Sequence, residues 1–295
     1  MKISVIGGGA IGLLVSYFLK QNGNEPVIYT KSVAQAEELS KSGLTYRNLK
    51  GSETTIKVDA KPFAEYNAEE SYCMIAVKQT AMNELIGLTK FSEVSFLFLQ
   101  NGISHLSFLE RLPKKQISIG VVEHGAVKKG YATVHHLGEG KIKLSSYSGG
   151  SDQTWRDFLH STRFPIVIEE EWQQMVYEKL IMNACINPLT ALLRITNGEL
   201  LTNSYAHSMM KELFEETTSV LNMIEQREVL WKELLVLCRN TSLNRSSMLK
   251  SVESGKQTEI ESITGEIIKR GIELKIQTPY SRFAYEAISA LDWRG

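Results

Sequence analysis

At 295 residues the chain is long enough for two domains, each able to bury its own core. Lysine plus arginine equals aspartate plus glutamate at 33 each, so no global charge draws the chain to nucleic acid or a membrane surface. No apolar run reaches membrane-spanning length, and Cys73, Cys185 and Cys238 lie in apolar contexts without metal-ligand spacing, so a soluble protein of the reducing cytoplasm with no metal site is expected.

The chain opens with KISVIGGGAIG, Lys2 to Gly12. Ile3, Val5 and Ile6 read as a strand from the middle of a parallel sheet. Gly7, Gly9 and Gly12 then form G-x-G-x-x-G, and an amphipathic helix is predicted from Ala10 to about Gln21. Gly7 allows the tight turn, Gly9 removes the Cβ that would keep a pyrophosphate away, and Gly12 lets the helix lie close on the strand. The helix start offers unpaired N–H groups and a positive dipole end. The backbone of Gly7, Gly8, Gly9, Ala10, Ile11 and Gly12 is therefore the expected dinucleotide cradle. A secretory signal peptide is the competing reading. Four glycines in its apolar part, and no small-residue cleavage site before Lys20 to Glu25, argue against it.

Asn22-Gly23 reads as a helix stop and Pro26 to Thr30 as the second strand. An NAD site usually places a carboxylate at the end of that strand, whereas here the chain reads Tyr29-Thr30-Lys31-Ser32. A cation and hydroxyls suit a 2′-phosphate, so NADP(H) is favoured, with an ordinary solvated lysine as the alternative. A helix is predicted from Val33 to Ser42, stopped by Gly43, and an extended piece near Thr54 to Val58 is expected at the sheet edge. Ser71 to Val77 is apolar throughout and reads as a central strand ending in Lys78; Ser95 to Leu99 ends in Gln100-Asn101-Gly102. Ligands of open α/β sheets lie beyond the carboxyl ends of strands, so Lys78 and Asn101 are candidate ligand contacts.

Ile117 to Val122 is the next predicted strand, followed by a hairpin of Tyr131 to His136 with Lys141 to Ser145 across Gly138-Glu139-Gly140. His124 reads as a structural group or one that packs beside the cofactor, because no carboxylate partner is evident, with an acid or base as the alternative. His135 and His136 point to opposite faces of a strand and are no metal pair.

From about Glu169 the pattern turns helical, so the expected domains are 1–168, dinucleotide-binding, and 169–295, helical. In EEWQQMVYEKLIMNACIN, Glu170 to Asn187, helical spacing puts Lys179, Asn183 and Asn187 on one stripe of a helix that is otherwise largely apolar. Buried polar groups need partners. The line suits a polar substrate, with an internal network and a salt-bridged lysine as the alternative. Pro188 is expected to kink the helix or start another turn. Further helices are predicted at about Ala206 to Gln226, Glu228 to Cys238 and Ser246 to Val252, the last opening with Ser246-Ser247 as a cap or carboxylate contact. Thr258 and Glu261 read as a capping box that leaves Glu259 free to face a ligand. Gly271 and Pro279 mark the end of that helix and the approach to a last one, Tyr280 to Leu291.

With these residues in hand, the chain resembles the ketopantoate reductase (2-dehydropantoate 2-reductase) family over nearly its whole length. The most specific stretches are KLIMNACINPLTAL (Lys179 to Leu192), NGEL (Asn197 to Leu200) and SSMLKSVESGKQTEIESITG (Ser246 to Gly265). The resemblance implies an α/β N-terminal Rossmann-type domain followed by an all-α C-terminal domain. It also implies NADPH-dependent reduction of 2-dehydropantoate to (R)-pantoate, on the route to pantothenate and coenzyme A. Matched by position, Lys179 is the general acid and Glu259 binds the substrate hydroxyl. Asn183 and Asn187 hold substrate hydroxyl or carbonyl groups, and Ser247 holds the carboxylate. Lys78 and Asn101 bridge substrate and nicotinamide, and Lys31 meets the 2′-phosphate. Thr264, Ser281 and Lys31 depart from the residues usual in the family. The implied partner is a small 2-oxo acid, with no nucleic acid or membrane partner and a homodimer allowed for. With acid and cofactor on different domains, closure during reaction is expected. A reductase of another 2-oxo acid and a non-catalytic NADP(H) sensor are the other readings; the sensor has no need of Lys179, Asn183, Asn187 and Glu259 together.

Overall fold

The computed structural model describes residues 1–112 and 116–293. They divide into two compact units, one of Met1–Asn101 with His105–Met175, the other of Gly102–Ser104 with Val176–Gly295. The division thus falls inside a helix, seven residues beyond the boundary expected at 168/169.

In the first unit, β1 (Lys2–Ile6) leads into α1 (Ala10–Gln21), then β2 (Glu25–Thr30), α2 (Val33–Ser42), β3 (Leu44–Arg47), β4 (Glu53–Ile56), β5 (Asp59–Pro62), β6 (Tyr72–Ile75) and, after a 3-10 stretch Gln79–Lys90, β7 (Ser95–Phe98). The chain continues through α3 (Leu106–Leu109), β8 (Ile117–Val122), β9 (Gly125–Lys129), β10 (Thr133–Gly138), β11 (Ile142–Ser148), α4 (Asp152–Leu159) and β12 (Ile166–Ile168). One sheet has the order β12-β11-β8-β7-β6-β1-β2-β5. Its six strands from β5 to β8 are all parallel and follow the dinucleotide-binding order, with the reversal of winding between β1 and β6. The glycine turn follows one of those two strands and Lys78 the other.

A second sheet, β4-β3-β10-β9, departs from the sequence reading in two places. Thr54 to Ile56 pairs with β3 and not with the main sheet, whose edge is β5. The predicted hairpin does not form. β10 pairs with β9 and β3, while β11 pairs with β8 and β12. Gly140 is needed for close approach rather than for a turn between those strands, because a Cβ there would lie 2.5 Å from the Glu123 carbonyl oxygen. Helix α1 packs against strands of both sheets, which is why Gly12 to Leu19 are buried without interruption. Tyr17 stacks on Tyr46 at 4.0 Å and Phe18 on Phe164 at 4.2 Å. Side chains of this size each contribute about 1.5–3 kcal/mol on burial.

The second unit is helical: α5 (Trp172–Leu193, its first turn in the first unit), α6 (Glu199–Thr202), α7 (Ser204–Val220), α8 (Arg227–Asn240), α9 (Ser247–Glu253), a π-helical turn Glu261–Gly265, α10 (Glu266–Leu274) and α11 (Pro279–Asp292). Helix α5 runs on through Pro188 to Leu193 as one helix. Proline removes an amide donor. Two residues on, the Thr190 hydroxyl donates back along the helix to the Ile186 carbonyl at 2.8 Å. Helix α10 likewise passes Gly271 and ends at Leu274, with Lys275 left-handed at φ 59°. Among the described residues no helix is long and apolar enough to cross a membrane.

Candidate active site

Three glycines of the turn after β1 have separable reasons. At Gly7, φ is +122° and a Cβ would lie 2.8 Å from the Ala76 carbonyl oxygen. At Gly12 a Cβ would lie 1.8 Å from the Gly7 carbonyl oxygen, so the helix could not sit on the strand exit. At Gly9 a Cβ would meet only Ala76 O at 3.9 Å. The protein's own packing does not require glycine there, so the open approach it leaves is the reason that remains. Gly9 caps α1 without a side-chain bond, the first turn carries no acid, and Ala10 and Ile11 are half-buried. The orphan amides of that turn, with the dipole end, form an anion cradle that fits a pyrophosphate. Gln35 completes it. Its Nε2 donates to the Gly8 carbonyl at 2.7 Å and the Tyr131 carbonyl at 2.9 Å, tying the turn to α2 and the second sheet. Sequence reading missed Gln35; its one signal is a buried polar residue in the first turn of a helix capped by Ser32.

Lys31 lies at the end of β2, four-fifths exposed, and pairs with Glu84 at 2.6 Å. Thr30 Oγ1 donates to the Ser32 carbonyl and Ser32 Oγ accepts from Gln35 N. The cation and hydroxyls are present as expected, but a carboxylate stands on the cation. An exposed pair of this kind is worth about 0–1 kcal/mol and opens readily for a stronger anion.

Lys78 and Asn101 are exposed at the ends of β6 and β7, in the same unit. Neither side chain has a hydrogen-bond or ion-pair partner among the described residues. His124 is not with them. Its Nδ1 is 3.1 Å from His136 Nε2, His136 Nδ1 is 3.0 Å from the Tyr46 hydroxyl, and the His124 ring stacks on Phe164. Burial, reinforced by His136, holds the His124 imidazole down at about 4, so it is a neutral structural group. A cavity of about 240 Å³ lined by Met1, Lys2, Glu69, Glu70, Ser71 and Tyr72 lies at the opposite, amino ends of β1 and β6. Sheet topology argues against it as the ligand site.

In the second unit, Lys179, Asn183 and Asn187 follow one another at successive turns of α5. Lys179 and Asn183 are half-buried and Asn187 is 7% exposed, in a segment whose other residues from Leu180 to Ala191 are all buried. Neither asparagine side chain makes a hydrogen bond among the described residues. Lys179 does interact with the protein. Thr190, one turn beyond Asn187, contacts Ser246 Oγ at 2.8 Å, and Ser246 caps α9 by accepting from Leu249 N at 3.0 Å. Capping falls to Ser246, and the neighbouring Ser247 hydroxyl is exposed with no partner among the described residues.

The capping box at Thr258 does not form. Thr258 Oγ1 donates to Asp292 Oδ2 at 2.5 Å and accepts from Ile260 N, while Glu261 accepts from the Tyr285 hydroxyl at 2.5 Å instead of reaching back. The π-helical turn from Glu261 to Gly265 alters the spacing on which the box depends. Glu259, just before that turn, is half-buried and its carboxylate has no partner among the described residues. Wide turns of this kind are frequent at functional sites. Among the described residues no three His, Cys, Asp or Glu side chains gather as a metal site would require.

Comparison with known proteins decides the family. Residues 3–149 match the family model described as Ketopantoate reductase PanE/ApbA, and residues 171–292 match Ketopantoate reductase PanE/ApbA C terminal. The chain belongs to the ketopantoate reductase family. It is 36% identical to the 2-dehydropantoate 2-reductase of Bacillus subtilis, over 99% of this chain and 98% of that one. A solved structure of a probable 2-dehydropantoate 2-reductase from the same organism superposes with TM-score 0.91 at 35% identity, covering 99% of this chain and 100% of the other. The fold also matches D-mandelate dehydrogenase solved with NADH and anilino(oxo)acetate, with TM-score 0.88 at 24% identity, over 99% and 98% of the two chains. The two helical positions that depart from the family's usual residues are both buried. Ser281 is engaged, donating to Glu216 Oε2 at 2.7 Å, whereas Thr264 Oγ1 has no partner among the described residues.

Proposed function

We propose that this ketopantoate reductase family member reduces 2-dehydropantoate to (R)-pantoate with NADPH, as a soluble cytoplasmic enzyme of pantothenate and coenzyme A biosynthesis. The observation that carries the reading is the α5 stripe. Two amides with no side-chain partner among the described residues follow an ammonium along a helix whose other residues from Leu180 to Ala191 are buried. A substrate bearing a hydroxyl, a carbonyl and a carboxylate supplies the partners that the two amides lack.

The dinucleotide, when bound, supplies a hydride. The chain's own residues do the rest. Gly9, Ala10 and Ile11 hold the pyrophosphate with backbone amides, and Lys31 takes the 2′-phosphate once it leaves Glu84. Lys179 Nζ gives a proton to the alkoxide that forms as the ketone is reduced. Asn101 and Lys78 donate toward the same developing charge. Asn183 and Asn187 hold substrate oxygens, Glu259 accepts from the substrate hydroxyl, and Ser247 meets the carboxylate. The D-mandelate dehydrogenase fold neighbour was solved with NADH, so the choice of dinucleotide is a separate test.

Turnover of NADPH and of NADH is to be followed with 2-dehydropantoate and a panel of other 2-oxo acids. The reading predicts that 2-dehydropantoate with NADPH gives the highest kcat/KM. A chain that binds NADPH yet prefers another 2-oxo acid keeps its family and loses this substrate.

A further inference from the structure

The ends of β6 and β7 are lashed together by two glutamines, each reaching to the other strand's exit. From the β7 side, Gln100 Nε2 donates to the carbonyls of Ile75 at 3.0 Å and Val77 at 3.2 Å, immediately before Lys78. From the β6 side, Gln79 Nε2 donates to the Asn101 carbonyl at 2.8 Å and lies 2.8 Å from His105 Nδ1. The Asn101 carbonyl can only accept, so the carboxamide nitrogen must face it. The same nitrogen then donates to His105 Nδ1, which fixes that imidazole as neutral and protonated on Nε2. His105 is 1% exposed and lies nearly parallel to the Phe98 ring, 6.3 Å away, and burial holds it down at about 4.

This arrangement leaves Gln79 Oε1, Gln100 Oε1 and His105 Nε2 buried without a partner among the described residues. A brace serving stability alone gains little from three such atoms. What it does secure is the backbone on either side of Lys78 and Asn101. Their side chains have no partner among the described residues to place them, so their position is set by that backbone.

We propose that Gln79, backed by His105 and opposed by Gln100, is a positioning residue that holds Asn101 and Lys78 in register for the carbonyl reduction. The inference rests on the function proposed above. Gln79→Glu keeps the shape and removes one donor. His105 can turn to its Nδ1–H tautomer and donate to the carboxylate, but the Asn101 carbonyl is an acceptor facing it and regains a donor only when the carboxyl takes up a proton.

The test measures kcat, KM and dinucleotide affinity against pH for the wild type, Gln79→Glu and Gln79→Leu, with imidazole nitrogen NMR of His105. For Gln79→Glu at neutral pH, kcat should fall about 10- to 100-fold, the size of effect that a small misplacement of reacting groups produces. It should recover as pH is lowered and the carboxyl regains a proton to donate. Gln79→Leu should stay low at every pH, dinucleotide affinity should hold within about threefold, and wild-type His105 should show the Nε2–H form alone. If Gln79→Leu does not fold, Gln79→Glu decides, since it replaces a single NH2 group. Variants whose kcat and pH profile match an active wild type overturn the positioning role and leave the function standing. A wild type that binds NADPH, shows the expected His105 signal and reduces no 2-oxo acid overturns the function, and with it the positioning role, leaving a structural brace.

Discussion

The glycine turn after β1 and the stripe on α5 are built by opposite means. In the turn, side chains are absent and backbone amides are left over; on the helix, the backbone is taken up in the helix itself and the Asn183 and Asn187 amides are left without a partner among the described residues. The turn is therefore sensitive to what is added, and the helix to what is taken away.

That contrast can be broken most forcefully at Gly12. Gly12→Ala puts a Cβ into the Gly7 carbonyl and should cost about 3 kcal/mol or more, seen as a large fall in Tm and loss of dinucleotide binding with the fold. Gly9→Ala, a few residues away, should leave Tm nearly unchanged and weaken NADPH binding about tenfold or more, read by fluorescence titration. Equal effects at the two positions would remove the distinction between packing glycine and ligand glycine.

On the helix side, Asn183→Ala deletes an amide with no partner among the described residues. Tm should move by no more than about 0.5 kcal/mol equivalent. The kcat/KM for the 2-oxo acid should fall about 10- to 100-fold, as when a buried polar contact to a ligand is lost. A variant that loses stability and keeps activity would make the stripe part of an internal network.

A third effect is confined to the first unit. His105 and His124 are held near 4 by burial, and His136 is also lowered, so the unfolded chain binds more protons than the folded one between about 6.5 and 4. Their stabilisation is complete above about 6.5 and is lost as pH falls through that window. Tm measured from neutral pH down to about 4.5 should decline, and less steeply in His124→Phe.

The smallest effect concerns the cation at the end of β2. Glu84→Ala frees Lys31 and should tighten NADPH binding about two- to fivefold with little change for NADH, since the pair broken is exposed. No difference between the two dinucleotides would mean that Lys31 does not meet the 2′-phosphate.

How much was legible in the sequence follows the range of the interactions involved. Helix α1 and helix α2 end where Gln21 and Ser42 were expected to end them, because caps and glycines act within a few residues. The second sheet was not legible. Alternating residues of β10 and β11 announce strands but do not say which partner each will take, and Gly138-Glu139-Gly140 looked like a turn between them. Candidate residues that stand out by type could be singled out in the sequence: Lys78, Asn101, Lys179, Asn183, Asn187, Ser247 and Glu259. Those that act on backbone carbonyls, Gln35, Gln79 and Gln100, were not, because an uncharged amide at a strand or helix end reads as ordinary loop polarity. The capping box failed for a related reason. A π-helical turn and the long-range partners Asp292 and Tyr285 overrode a local motif.

In the proposed mechanism the turn holds the cofactor while α5 supplies the acid. Side-by-side NADPH binding and 2-dehydropantoate turnover in Lys179→Ala test it most directly. Affinity for NADPH should stay within about threefold of wild type while kcat drops about 10²- to 10⁴-fold, the usual contribution of a positioned proton donor. A Lys179→Ala enzyme that turns over at near the wild-type rate would contradict the account, because the α5 stripe would then hold no acid.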